Sequence, residues 1–214
     1  MFRSLLASTV LAAGFLAAPS VQAAEETAII AGGCFWCVES DMDHVKGVIS
    51  TTSGYAGGSM KNPTYENHEG YTEGVKVVFD NSVISYESLL GHFLRTIDVT
   101  DGGGQFCDRG ASYIPALFPL DDKQKKVALG ALKTAAADVG QATNVLLGDN
   151  PSFTDAEDYH QNYYLGENRT LTRFGLVKQS DSYKRYREGC GRDARVKEVW
   201  GSKAYSFPAG GSNS

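Results

Sequence analysis

Thr27-Ala28-Ile29-Ile30-Ala31-Gly32-Gly33-Cys34-Phe35-Trp36-Cys37 decides the reading of this chain. A short apolar run, Thr27 to Ile30, turns through two glycines into a segment with helical patterning, and the first of two cysteines in C-x-x-C spacing stands at the turn. A thiol at a helix N-terminus faces unpaired backbone N–H groups and the positive end of the dipole, and both favour thiolate, the attacking form of cysteine. Phe35 and Trp36 lie between the two thiols, and an aromatic pair is costly to expose unless it binds something. Cys34 therefore reads as a nucleophile beside an apolar pocket.

Working outward, the pattern predicts a strand over 27–31, a helix over 35–45, a strand over 48–55, a Gly/Asn/Pro-rich loop over 56–71 and a strand over 74–79. A helix over 86–97 follows, with Tyr86, Leu89, Leu90, Phe93, Leu94 and Ile97 on one face and Ser85 as its cap. A glycine-rich loop over 98–110, a strand over 113–118 and a helix over 120–139, opened by Asp121 and Asp122, come next. The stretches 156–166 and 172–188 also read as helical. Two β-α-β runs with long loops imply an α+β fold: a two-layer split-βαβ (ferredoxin-like) sandwich with extra C-terminal helices and long coil segments.

The 214 residues, 42% of them apolar, suit one domain with a sizeable core. Residues 1–23 carry one cation, Arg3, an apolar run and a small-x-small ending at Val21-Gln22-Ala23, the layout of a cleaved export signal. The expected organisation is a leader over 1–23, a single catalytic domain over 24–207 and a disordered tail over 208–214, with the protein exported, by default to a periplasm. The short, interrupted apolar run argues against a stable membrane anchor. With 20 Lys and Arg against 25 Asp and Glu and no basic cluster, nucleic acid is an unfavourable partner. The histidines His44, His68, His92 and His160 are scattered without ligand spacing, and no second C-x-x-C exists, so neither a zinc site nor any other cofactor is expected.

Two loops carry further chemistry. The first holds Asn62-Pro63-Thr64-Tyr65 and ends at Glu73; the second holds Cys107-Asp108-Arg109-Gly110, then Ser112-Tyr113. A carboxyl group and two tyrosines are the proton donors that a nucleophilic cysteine needs at a substrate's leaving oxygen. Taken singly, each has a plain structural account, as a strand-edge carboxylate or a packed loop aromatic. His160, between Tyr159 and Gln161, reads as a packed, hydrogen-bonded ring.

Taken together, the motifs resemble the A-type peptide methionine sulfoxide reductases. The resemblance runs through Gly33-Cys34-Phe35-Trp36, Gly54-Tyr55-Ala56-Gly57-Gly58, Asn62-Pro63-Thr64-Tyr65, Glu73 and Val83-Ile84-Ser85-Tyr86. It continues through Cys107-Asp108-Arg109-Gly110, Ser112-Tyr113, Tyr159-His160-Gln161 and Cys190-Gly191-Arg192-Asp193. It implies that Cys34 attacks the sulfoxide sulfur, that Phe35 and Trp36 hold the S-methyl group, that Glu73 protonates the oxygen, that Tyr65 and Tyr113 hydrogen-bond it, and that Asp108 supports the site. The implied substrate is the S epimer of methionine sulfoxide, free or within peptides and proteins. The implied partner is a thioredoxin-like reductant serving a monomer. The chain departs from the family pattern at Tyr71, where many members have His, and at Gly110-Ala111-Ser112-Tyr113-Ile114, where Gly-Thr-Gln-Tyr-Arg is usual.

After attack, Cys34 would be a sulfenic acid, which condenses with a second thiol. Cys37 is near in sequence, but residues three apart on a helix need unwinding to reach disulfide geometry. Cys190, after the last helix, is the slightly favoured resolving thiol; a structural Cys107–Cys190 pair is the competing arrangement. Two other classes remain open: a thiol–disulfide oxidoreductase using Cys34 and Cys37, and a disulfide-stapled module that binds methionine side chains.

Overall fold

A computed structural model describes residues 24–208. In chain order the elements are β1 (Glu25–Ala31), α1 (Phe35–Asp43), β2 (Val48–Ala56), β3 (Thr72–Asp80), α2 (Tyr86–Leu94), β4 (Gly104–Gln105), β5 (Asp108–Arg109), β6 (Ala116–Phe118), α3 (Asp122–Val139), β7 (Leu146–Leu147) and β8 (Phe153–Asp155). They end with β9 (Arg169–Thr172), β10 (Gly175–Lys178), α4 (Gln179–Gly189) and α5 (Arg192–Trp200). The main sheet has the order β7-β6-β1-β3-β2-β8. Its centre is the expected split βαβ arrangement: β3 lies between β1 and β2 and runs antiparallel to both, and β6 pairs antiparallel with the other edge of β1.

Alternation along β1 explains the layering. Ala28 and Ile30 enter a core with Phe35, Val38 and Met42 of α1 and Leu89, Leu90 and Phe93 of α2. Ile29 and Ala31 face the other way, against Ala56, Ala116 and Phe118, with Phe153 packed over them. The cap anticipated at Ser85 is present, its Oγ accepting from Ser88 N; the helix expected from 120 starts at Asp122, with Asp121 as its cap, Oδ1 accepting from Gln124 N at 2.7 Å. The turn into α1 requires glycine at 33, where φ is +82° and an added Cβ would stand 2.6 Å from Gln105 Cβ.

Four expected elements differ. The helix over 86–97 ends at Leu94; residues 95–97 continue with bonds to the third residue back, while Thr96 Oγ1 donates to Phe93 O and competes for that carbonyl. The strand expected over 113–118 is a 3₁₀ turn at Ala111–Tyr113 followed by β6, with Pro115, which has no N–H to donate, between them. The segment 156–166 is two 3₁₀ turns, because the Gln161 side chain binds Ser53 N, Ser53 O and Ala156 O and ties the segment to β2. The first part of 172–188 is the second strand of a hairpin, which turns at Gly175 with φ +90°, and only α4 is helical.

The leader over 1–23 and residues 209–214 of the expected tail lie outside the described residues. Pro208 is packed against Gly91. Among the described residues, no helix is long and apolar enough to cross a membrane.

Candidate active site

Cys34 occupies the N-cap of α1, with φ −47° and ψ 119°, and its carbonyl accepts from Cys37 N at 3.0 Å and Val38 N at 3.3 Å. The thiol therefore stands at the mouth of the helix, outside its regular turns, with 5% of the residue exposed. Beneath it, β3 delivers Glu73, which lies opposite Tyr55 of β2 and is 2% exposed. Glu73 Oε2 accepts the Phe35 N–H at 3.0 Å, so a side chain from the sheet satisfies one of the free donors of the first helical turn. Burial pushes the Glu73 carboxyl up to about 8 against that hydrogen bond. It is thus a carboxylic acid, a proton donor, at neutral pH.

A cavity of about 60 Å³ is lined by Cys34, Phe35, Trp36, Tyr65, Glu73, Asp108, Tyr113 and Tyr186. The nucleophile, the acid, both tyrosines, the supporting aspartate and both aromatic residues named from the sequence all line it; Tyr186, from α4, was not anticipated. Burial raises the Tyr65 hydroxyl to about 12 and raises Tyr113 further, so both remain O–H donors. Tyr65 is held by its backbone N–H, which donates to Glu157 Oε1 at 3.0 Å, while Glu157 Oε2 accepts from Tyr55 Oη at 2.7 Å. Tyr186 Oη donates to Asp108 Oδ2; burial raises the Asp108 carboxyl and this bond opposes the rise.

Trp36 is fixed on two sides. Its ring stacks on Tyr163 at 3.8 Å, and Nε1 donates to His160 Nδ1 at 3.1 Å. Burial lowers His160 to about 4, so the imidazole is neutral and has a lone pair for that bond. This is the packed, hydrogen-bonded role expected of it. At the positions departing from the family pattern, Tyr71 Oη donates to Met60 O at 2.7 Å, and Ser112 Oγ meets His68 Nε2 at 2.9 Å.

Cys37 stands on the other side of the same turn and is 1% exposed. Two cations and one carboxylate stand here, Arg187 and Arg192 outweighing Asp41 at Cys37. Arg187 Nη1 is 2.9 Å from Asp41, and the fully buried Arg192 has Nε 3.6 Å from Asp41, Nη1 donating to Gly32 O and its guanidinium 4.7 Å over the Phe106 ring. Burial, then the contact with Cys37, raises the Cys34 thiol well above its usual range, and the negative charges of Glu73 and Asp108 add to this. The hydrogen bond from Cys34 lowers Cys37 against its burial, helped by Arg192 and Arg187. Burial and the contact with Cys37 thus oppose the thiolate expected at Cys34. Asp41, Arg187 and Arg192 had no catalytic reading from the sequence, although Tyr183, Tyr186 and Arg187 share a face of α4 at spacings of three and four.

Cys190 is bonded to Cys107, with a Cα–Cα distance of 5.0 Å, and Cys34 and Cys37 are the free cysteines. The arrangement present is the competing one, and Cys190 is not a free thiol beside Cys34 as favoured from sequence. The reason is local: the end of α4 lies against the loop that carries Asp108, where Tyr186 also docks.

The peptide methionine sulfoxide reductase family profile matches residues 26–203. A peptide methionine sulfoxide reductase MsrA 2 of Rhizobium meliloti is 43% identical over 90% of this chain and 92% of its own length, and one of Caulobacter vibrioides is 41% identical over 94% and 96%. The solved methionine sulfoxide reductase A of Corynebacterium diphtheriae superposes with a TM-score of 0.59 at 25% identity, covering 74% of this chain and 85% of that one. By that match along nearly all of the described residues, the chain belongs to the peptide methionine sulfoxide reductase family, MsrA type, and is a peptide-methionine (S)-S-oxide reductase.

Proposed function

We propose that Cys34 is the sulfur nucleophile, Glu73 the acid and Cys37 the resolving thiol of this reductase. The observation that carries the reading is the shared 60 Å³ cavity, in which a buried carboxylic acid and a buried cysteine meet under two tyrosine hydroxyls. Sulfoxide sulfur is a poor electrophile until its oxygen is protonated. Glu73 supplies that proton, with Tyr65 and Tyr113 donating hydrogen bonds to the same oxygen, while the methyl group lies against Phe35 and Trp36. As Cys34 attacks, its own proton passes toward Cys37, the more acidic of the pair. The hydroxyl then shifts from the substrate sulfur to Cys34 as the new S–S bond and the old S–O bond break, so that methionine leaves and Cys34 is a sulfenic acid. Asp108 holds Tyr186 at the cavity wall throughout.

Cys37 then attacks the Cys34 sulfur, forming the Cys34–Cys37 disulfide and releasing water. Its position supports this role: Cys34 lies outside the helix at the N-cap, so closing the bond does not require unwinding α1. A dithiol protein of thioredoxin type takes up the oxidation, returning both cysteines to thiols as its own disulfide forms. Substrates are the S sulfoxide of methionine, free or in polypeptides. Export to a periplasm is supported by the leader pattern at 1–23 and by the Cys107–Cys190 disulfide, which suits an oxidising compartment.

The test is a single-turnover reaction without added reductant, using each epimer of blocked methionine sulfoxide. One methionine per protein from the S epimer, with loss of the Cys34 and Cys37 thiols, is expected. Release of methionine with both thiols still titratable would overturn the resolving role, and no methionine from either epimer would overturn the mechanism.

A further inference from the structure

We propose that the outer edge of β9 binds an extended segment of the substrate polypeptide, adding it as a strand alongside the oxidised methionine. This inference rests on the sulfoxide pocket assigned above. The pocket is too small for more than the end of a side chain. Trp36 and Tyr65 also line a second groove of about 410 Å³, so these two rings border both spaces. On its other side the groove is walled by residues 168–172, the whole of β9 with the residue before it. All four consecutive residues of a strand line a groove only where the strand's backbone edge faces it, because side chains alone would alternate toward and away.

Among the described residues β9 pairs with β10 alone, in a two-stranded sheet, so its second edge has no strand partner there and presents backbone N–H and C=O groups. Apolar surface accompanies it: Leu171 is 81% exposed and Tyr159, on the groove wall, 55%. An exposed strand edge beside a side-chain pocket is the arrangement by which peptides are added to sheets, with main-chain bonds supplying affinity and a pocket selecting one residue. Four residues of strand span roughly 13 Å. The occupant that fits is therefore a stretch of about four residues of unfolded or loop polypeptide, uncharged near Leu171, with methionine sulfoxide entering past Trp36.

The experiment uses the purified protein and three substrates: a blocked methionine sulfoxide residue, a seven-residue apolar peptide containing it, and that peptide N-methylated on alternate flanking amides. The expected kcat/KM for the peptide exceeds that of the blocked residue by about tenfold, or about 1.4 kcal/mol. N-methylation, or the substitution Leu171→Asp, should return the peptide to the value of the blocked residue and leave the blocked residue unaffected. Binding of the methionine-containing peptide, followed by tryptophan fluorescence, should weaken equally in Leu171→Asp, and this readout does not depend on turnover. Equal rates for all three substrates, peptide binding indifferent to Leu171→Asp, or a Leu171-dependent dimer without any peptide effect would overturn the proposal. Failure to reduce the blocked residue while peptide binding still responds to Leu171→Asp would instead overturn the chemistry and leave the groove supported.

Discussion

Cys34 and Cys37 stand one helical turn apart, are both buried, and yet meet opposite fields. Glu73 and Asp108 surround the first, and Arg187 and Arg192 approach the second. The contrast teaches that a C-x-x-C motif does not itself say which sulfur holds the proton. Burial disfavours thiolate at both positions, the hydrogen bond between the two sulfurs divides them, and the neighbouring charges add to that division. The acidic side keeps a proton where the substrate oxygen must receive one. The cationic side stabilises the thiolate that follows with the second attack.

The largest test of that division lies at Glu73. Glu73→Gln should keep the Phe35 contact yet lower kcat/KM by about 10²–10⁴, the usual worth of a positioned general acid. Wild-type activity should fall as pH rises through about 8, where Glu73 loses its proton, and this alkaline limb should vanish in the variant. Stability should fall with rising pH as well. A carboxyl raised from 4.5 to about 8 in the folded state stabilises the fold while protonated and loses that contribution as pH rises between those values. Glu73→Gln should thus be the more stable protein at pH 8, by about 4 kcal/mol in urea titrations. A variant less stable than wild type at that pH would break the assignment of Glu73 as a strained, buried acid.

Next in size is Cys37→Ser. Single-turnover methionine release should still occur, slowed about tenfold because the position no longer takes up the Cys34 proton, while turnover with a dithiol protein should drop about 100-fold and a trappable sulfenic acid should accumulate on Cys34. Unchanged steady-state turnover would return the resolving role to Cys190. Smaller again, Arg192→Lys retains the charge but not the planar guanidinium over Phe106. It should slow Cys37 alkylation near neutral pH by about threefold and shift its pH profile upward, without changing the first methionine release. The smallest effect is expected for Tyr186→Phe. It removes the donor to Asp108, raises that carboxyl further, and should cost about twofold to fivefold in kcat/KM with no change in KM. A dominant KM effect would place Tyr186 on the substrate instead.

Much of this was legible before any coordinates. The apolar alternation of 27–31, the one-sided helix at 86–97 and the cap at Ser85 are local signals, and the split βαβ centre follows from their order. The cavity residues Cys34, Phe35, Trp36, Tyr65, Glu73, Asp108 and Tyr113 were legible because each lies within a distinctive short motif. The hairpin at 169–178 was not, since Thr172 and Val177 with Lys178 between polar neighbours fit either a strand or a helix over so short a run. Nor were the turns at 158–165, which depend on Gln161 reaching the backbone of β2 more than a hundred residues away.

The sequence by itself determined the chemistry available: a cysteine at a strand-to-helix turn, an acid at the start of a strand, aromatic rings beside both. These are properties of residue type and short-range spacing. Only the tertiary structure decided how protons are distributed among them and which thiols pair. Burial, field and disulfide partnership depend on contacts between distant segments: β3 beneath α1, α4 against the loop at 104–109, and the guanidinium of Arg192 brought beneath Gly32 from 160 residues away.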